Sequence, residues 1–158
     1  MSRWLILVRH AHRDTRNKKR DNGLSKKGRK QSLALATFFD DQFAGHSVCF
    51  TSSPKLRCVE TLQPLAKKLR IKIAISPELR EKEPKEAATR FRLRIKKIIE
   101  HWPAENPQIW VVCGHGDGIP LALRELIGLP IELKKGGVAI LEISGAKREL
   151  LWLLPTLI

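Results

Sequence analysis

Trp4-Leu5-Ile6-Leu7-Val8-Arg9-His10 runs through five apolar residues and stops on an arginine and a histidine. An unbroken apolar run of this length is the pattern of a strand buried on both faces, as in a parallel sheet covered by helices. The same order returns three times. Val48-Cys49-Phe50 precedes Ser52-Ser53-Pro54-Lys55-Leu56-Arg57, Ile71 to Ile75 precedes Glu81, and Ile109 to Val112 precedes Cys113-Gly114-His115-Gly116. Helical periodicities separate these runs. Leu35, Phe39 and Phe43 follow a Ser25 cap, and Leu62, Leu65, Ala66 and Leu69 follow Pro54 in a first turn. Phe91, Ile95, Ile98, Ile99 and Trp102 follow a start near Pro84, with Glu83 and Glu86 beside it. Pro120 to Ile127 is stopped by Gly128 and Pro130. Strands alternating with helices predict an α/β fold: a three-layer, doubly wound, mostly parallel sheet with helices on both faces. Ile71, Ile73 and Ile75 alternate with Lys72 and Ala74, which places that strand near a sheet edge. Val138 to Ile143 and Leu150 to Leu154 read as two closing strands around a Ser144-Gly145 turn. No linker interrupts the chain, so residues 1–158 are expected to form a single domain.

The hydrophobic share of 42% is ordinary, but 30 Lys and Arg against 16 Asp and Glu give a formal charge of +14. The excess is concentrated early: residues 1–30 hold eleven basic side chains against Asp14 and Asp21. The plain reading is a solvated basic face; the functional one is a field that draws polyanions toward the protein. Nucleic acid is a weakly supported partner, because few aromatic residues lie within the basic run to stack on bases. Residues 11–24 are polar and basic, with Asn22-Gly23 as a turn signal, and are expected to form a flexible loop. Cys49, Cys58 and Cys113 have no paired or metal-type spacing, which suits reduced thiols and a cytoplasmic location. Trp4 to Val8 is too short for a signal-peptide core, and no run approaches the length needed to cross a bilayer, so no membrane partner is expected.

In an open α/β sheet, ligands bind beyond the carboxyl ends of the strands. Arg9, His10, Arg57, Glu81 and His115 would therefore meet in one cleft. Neutral imidazole is a competent nucleophile toward phosphorus at physiological pH, and an adjacent guanidinium grips phosphate oxygens in pairs. Arg57 falls in the first turn of a helix, where free amides and the dipole also favour anions. Gly114 and Gly116 let the backbone approach a ligand, and Asp117 could orient an imidazole. Taken singly, each of these has a plainer explanation: a charged strand end, a surface arginine, a tight turn. Other chemistries fit less well. A cysteine phosphatase loop at Cys113 would need arginine where Ile119 stands, and the glycines around His115 lack the ending of a nucleotide P-loop. His10-Ala11-His12 with Asp14 has a metal-ligand spacing. However, the chain is too short for a (β/α)₈ barrel, and Thr15 stands where a metallo-β-lactamase-type run would carry histidine.

Four ordered blocks resemble the histidine phosphatase superfamily, whose fold is phosphoglycerate mutase-like. They are Leu7-Val8-Arg9-His10-Ala11, Leu24-Ser25-Lys26-Lys27-Gly28, the Ser53-Pro54-Lys55-Leu56-Arg57-Cys58-Val59-Glu60-Thr61 block, and Gly114-His115-Gly116. The resemblance implies that His10 is the phosphorylated nucleophile and that Arg9, Arg57 and His115 complete the phosphate pocket. It implies a proton-donating Glu81 after Leu79-Arg80, with Glu83 as the lesser candidate. Gly116 and Arg16 join Arg9, Arg57 and His115 in the expected substrate-binding set. Small size and Arg-His-Ala in place of Arg-His-Gly resemble the compact SixA-type branch, whose namesake acts on phosphohistidine. That branch often lacks the glutamate, so Glu81 leaves room for phosphate esters. The expectation is a cytoplasmic phosphohydrolase, without metal or cofactor, acting on a phosphohistidine protein or a small phosphomonoester. Phosphatase stands ahead of mutase, because the insertions that mutases use to enclose a sugar acid phosphate are missing. Two alternatives stay open: a basic polyanion- or RNA-binding module on the same fold without turnover, and a metal-dependent hydrolase using His10 and His12.

Overall fold

The protein is described by a computed structural model covering residues 2–156. In chain order the elements are β1 (Arg3–Arg9), α1 (Lys26–Phe43), β2 (Val48–Ser52), α2 (Leu56–Leu69), β3 (Ile73–Ile75), α3 (Ala88–Glu100), β4 (Ile109–Gly114), α4 (Gly118–Ile127), β5 (Val138–Ser144) and β6 (Lys147–Leu154). A short 3₁₀ turn at Pro77–Leu79 follows β3. The strands form one sheet in the order β3-β2-β4-β1-β5-β6. β3, β2, β4 and β1 are parallel, β5 runs antiparallel to β1, and β6 antiparallel to β5.

The apolar run of β1 is buried on both faces, which is why it reads as continuous rather than alternating. Ile6 and Val8 join Leu35, Phe39 and Phe43 of α1 and Leu62 and Leu65 of α2 in one core. Leu5 and Leu7 join Phe91, Ile95 and Ile99 of α3 and Ile119 and Leu123 of α4 in the other. The three layers and the helices on both faces are therefore as the strand–helix alternation predicts. β1 and β4 are neighbours whose following helices pack on opposite faces of the sheet. A crevice opens beyond the carboxyl ends of two such strands, and it is the usual ligand position in open α/β sheets.

Local signals hold at several ends and fail at others. Ser25 caps α1, its hydroxyl accepting from Gly28 N at 3.1 Å, and Gly128 at φ 76° closes α4. α2 starts at Leu56, two residues later than Pro54 suggests, and its first amide donates to the Asp21 carboxylate from the neighbouring loop at 3.2 Å. α3 starts at Ala88 rather than near Pro84. Glu83 and Glu86 do not serve its first turn: Arg80 binds Glu83 at 2.9 Å, and Arg94 binds Glu86 at 2.7 Å. β3 loses Ile71 to the end of α2, where Ile71 N donates to Ala66 O at 2.9 Å beyond a left-handed Arg70. It does lie at the sheet edge. β6 begins at Lys147, ahead of Leu150, because pairing with β5 continues down to the Gly145-Ala146 turn. The basic loop is tied rather than loose at its base. Arg13 and Leu24 form a bridge, Asp14 N donates to Gly23 O at 2.9 Å, and the Asn22 amide bonds the carbonyls of Asp14 and Asn17.

Candidate active site

His10 leaves the end of β1 with its amide donating to Gly114 O at 3.0 Å, which fixes it beside β4. Its Nδ1 lies 2.8 Å from Ala11 O. A carbonyl only accepts, so Nδ1 carries the proton and Nε2 keeps a bare lone pair. The ring is buried and its pKa is lowered to about 4. Burial is the main cause; the Ala11 hydrogen bond opposes it, and the charges of Arg57, Arg9 and Lys135 add to it. At neutral pH the imidazole is unprotonated and its Nε2 lone pair is free.

His115, at the end of β4, packs edge to face on His10 with ring centroids 5.4 Å apart. Its Nε2 lies 2.8 Å from the buried Ser53 hydroxyl, and Cys58 Sγ is 3.7 Å away on the same side. When Ser53 donates to Nε2, the proton of His115 sits on Nδ1, on the side of the Glu81 carboxylate. Burial, followed by the charge of Arg57, lowers its pKa to about 3. Thr61 locks the two halves of the site together. Its hydroxyl accepts from Ala11 N at 2.9 Å and donates to Arg57 O at 2.6 Å, tying the segment after β1 to the first turn of α2.

The two guanidiniums are held from behind. Arg9 Nη1 donates to Leu133 O at 2.6 Å, and the Arg57 side chain is 4% exposed with its Nη2 on the Glu81 carboxylate. Gly116 leaves room for Arg9: a Cβ there would lie 2.6 Å from its Cζ. Among the described residues, three buried side-chain nitrogens or oxygens lack a hydrogen bond, and they are Arg9 Nε, Arg57 Nε and His115 Nδ1. All three belong to this site. A buried donor left without an acceptor costs about 1–3 kcal/mol, so three such donors on clustered side chains make this a candidate site for an acceptor-rich ligand.

Glu81 lines the same cleft, half exposed, with its carboxylate 3.5 Å from His115 Nδ1. Its loop is set by a network that sequence reading missed. Buried Arg94 donates to the carbonyls of Glu78, Arg80 and Glu81 while paired with Glu86. Asp117 accepts from Lys82 N at 3.0 Å, so it anchors that loop rather than an imidazole. Glu83 is turned to Arg80 and does not line the cleft.

The open cleft, about 330 Å³, is lined by Arg9, His10, Arg13, Thr15, Lys18, Arg57, Glu81 and Lys135. Arg16 lies outside it, 90% exposed and forked onto Asp14. Lys135 was not foreseen. Its only local signal is the Gly136-Gly137 pair, where Gly136 at φ 79° folds the loop back to donate to the carbonyls of Arg9 and His10. The His12 ring bonds the Ser25 hydroxyl at 2.7 Å, away from the cleft, and no group of three metal-ligating side chains occurs among the described residues. The His-x-His alternative thus has no ligand set. No helix among those residues is long and apolar enough to cross a membrane.

A buried imidazole, grouped with two guanidiniums and a second imidazole at the switch point of a doubly wound sheet, is the arrangement expected of a histidine-type phosphoryl-transfer site. The sequence profile of the histidine phosphatase superfamily (branch 1) matches residues 5–84, half of the chain, and the protein belongs to that superfamily. Comparison with curated protein sequences finds no match. Among solved structures, α-ribazole phosphatase from Shigella flexneri superposes with a TM-score of 0.82 at 17% identity, covering 98% of this chain and 96% of that one. A mycobacterial glucosyl-3-phosphoglycerate phosphatase superposes at 0.74 with 18% identity, covering 95% and 98%. Phosphoserine phosphatase from Entamoeba histolytica superposes at 0.73 with 16% identity, covering 96% of each chain.

Proposed function

We propose that the protein is a phosphohydrolase that works through a phosphohistidine on His10 and takes small phosphomonoesters. One observation carries this reading: three buried donors, Arg9 Nε, Arg57 Nε and His115 Nδ1, lack hydrogen-bond partners on side chains that cluster with His10, whose Nε2 is bare. A phosphoryl group offers three equatorial oxygens to those donors and its phosphorus to the nucleophile. Their charge and hydrogen bonds are in place before reaction, so they stabilise developing negative charge without reorganising. His10 Nε2 forms the P–N bond as the ester P–O bond breaks, and the departing oxygen takes a proton from Glu81. Water then attacks phosphorus, giving its proton to the Glu81 carboxylate, and the P–N electron pair returns to Nε2.

Three things favour an ester over a phosphohistidine protein. Glu81 is in place, and a poor alkoxide leaving group needs its proton. The cleft is of small-molecule size. The solved phosphatases of similar fold act, by their names, on α-ribazole phosphate, glucosyl-3-phosphoglycerate and phosphoserine. An RNA-binding role is less favoured, since no Phe or Trp lines the cleft as a stacking platform. The test is rapid quenching with ³²P-labelled substrate in the presence of a chelator. Wild type should carry an acid-labile, base-stable label, and His10→Ala should carry none and turn over nothing while keeping its circular dichroism. Near-normal turnover by His10→Ala would overturn the covalent mechanism.

A further inference from the structure

Resting on that phosphohydrolase reading, we infer that the outer wall of the cleft, formed by Arg13, Lys18 and Lys135, is a second anion subsite. The substrate is then a small organic phosphate that carries another anionic group, a second phosphate or a carboxylate.

The charge balance points there first. Five cations, Arg9, Arg13, Lys18, Arg57 and Lys135, line the cleft with one carboxylate, Glu81, a formal excess of four. A phosphoryl dianion neutralises two of these charges, and two remain. The described residues supply nothing for them. The acidic residues of the basic loop are engaged elsewhere, Asp14 by Arg16 and Asp21 by the amide of Leu56. Arg13, Lys18 and Lys135 form no ion pair among the described residues.

The wall is also built rather than incidental. The Lys135 carbonyl accepts from the Gln31 amide at 3.1 Å and the Thr156 hydroxyl at 3.2 Å. The next amide, of Gly136, bonds the carbonyls of Arg9 and His10. The Lys135 backbone is thereby fixed to the nucleophile strand. Burial, then crowding by Arg9, Arg13, Arg57 and Lys18, pulls its ammonium below its ordinary pKa. Arg13, lining the same cleft, is held by its bridge to Leu24. A cation held partly buried among cations is relieved by an anion, and a substrate bound at His10 can bring one.

The experiment compares kcat/KM within two substrate pairs of matched leaving group: fructose 6-phosphate against fructose 1,6-bisphosphate, and glycerol 3-phosphate against 3-phosphoglycerate. The first pair adds a phosphate and the second a carboxylate. The more charged member should win by about tenfold or more, the effect of one charge-assisted hydrogen bond. The preference should persist at 0.5 M NaCl, where a long-range field is screened within a few ångströms. Lys135→Met should bring the ratio close to one. Lys18→Met, on an exposed loop, should lower it too and serves where Lys135→Met fails to fold. A wild-type ratio near one in both pairs, a preference abolished by salt, or a ratio intact in both variants would overturn the subsite. Calorimetric binding of pyrophosphate and orthophosphate to His10→Ala separates this inference from its premise. Tighter, Lys135-dependent binding of pyrophosphate without any turnover by wild type would keep the subsite and sink the phosphohydrolase reading. Equal binding of the two would sink the subsite whatever the turnover.

Discussion

The two site histidines make the fold sensitive to acid in a window where little else titrates. His10 and His115 are buried, and their pKa values are lowered from 6.5 to about 4 and about 3. In the unfolded chain both return to the ordinary value. As pH falls below 6.5 the unfolded state takes up two protons that the folded state refuses. The stability present above pH 6.5 is therefore lost progressively as pH falls toward the folded values. At pH 5 each unfolded imidazole is almost fully protonated and each folded one mostly neutral, which corresponds to about 2 kcal/mol per residue. Together they remove about 4 kcal/mol, a large share of the 5–15 kcal/mol that typically holds a domain folded. His12, also lowered by burial, acts in the same direction. Carboxylates add little between pH 7 and 5, since their unfolded values lie below that window. The assay is urea unfolding at pH 7 and pH 5 for wild type and His115→Asn. Wild type should lose about 4 kcal/mol and the variant about half of that. Inorganic phosphate should shrink the wild-type loss, because a bound anion raises both folded pKa values. Equal pH dependence in the two proteins would refute the reasoning, because it would mean that His115 is not held neutral by its surroundings.

What the sequence made legible follows how local each signal is. β1 and β4 are apolar on both faces, so their position in the sheet interior was readable, as was the ending of β1 on Arg9 and His10. Convergence of Arg9, His10, Arg57, Glu81 and His115 followed from topology alone, because the ends of parallel strands lie on one edge. The serine and threonine of the Ser53–Thr61 block were readable as letters, but their partners were not. Ser53 reaches His115 and Thr61 reaches Ala11 only after β2, β4 and β1 have paired. Within the basic loop, Arg13, Arg16 and Lys18 look alike, and Asp14, two residues from Arg16, decides which of them turns away. The start of α3 was misplaced for a similar reason. Arg94 and Arg80 capture Glu86 and Glu83, and helix-start rules contain no information about a partner a turn or two away. Lys135 was out of reach altogether: its place in the cleft depends on the loop after α4 folding back onto the end of β1.

Two further outcomes test the site itself. Gly116→Ala would put a methyl group 2.6 Å from the Arg9 guanidinium carbon, so Arg9 must shift. KM for phosphate esters should rise and kcat/KM fall by about 10²-fold, since a misplaced positioning group costs on that order. Unchanged steady-state constants would mean that Arg9 does not hold the phosphoryl group. Glu81→Gln keeps the shape of the side chain and removes the transferable proton. A proton donor matters most when the departing oxygen is strongly basic, so alkyl phosphate hydrolysis should fall by about 10²–10⁴-fold while p-nitrophenyl phosphate is barely slowed. Glu81 also touches Arg57 and faces His115, and a loss of that contact would act on both substrates alike. Equal losses would therefore assign Glu81 to positioning, and no loss on either substrate would remove it from the reaction.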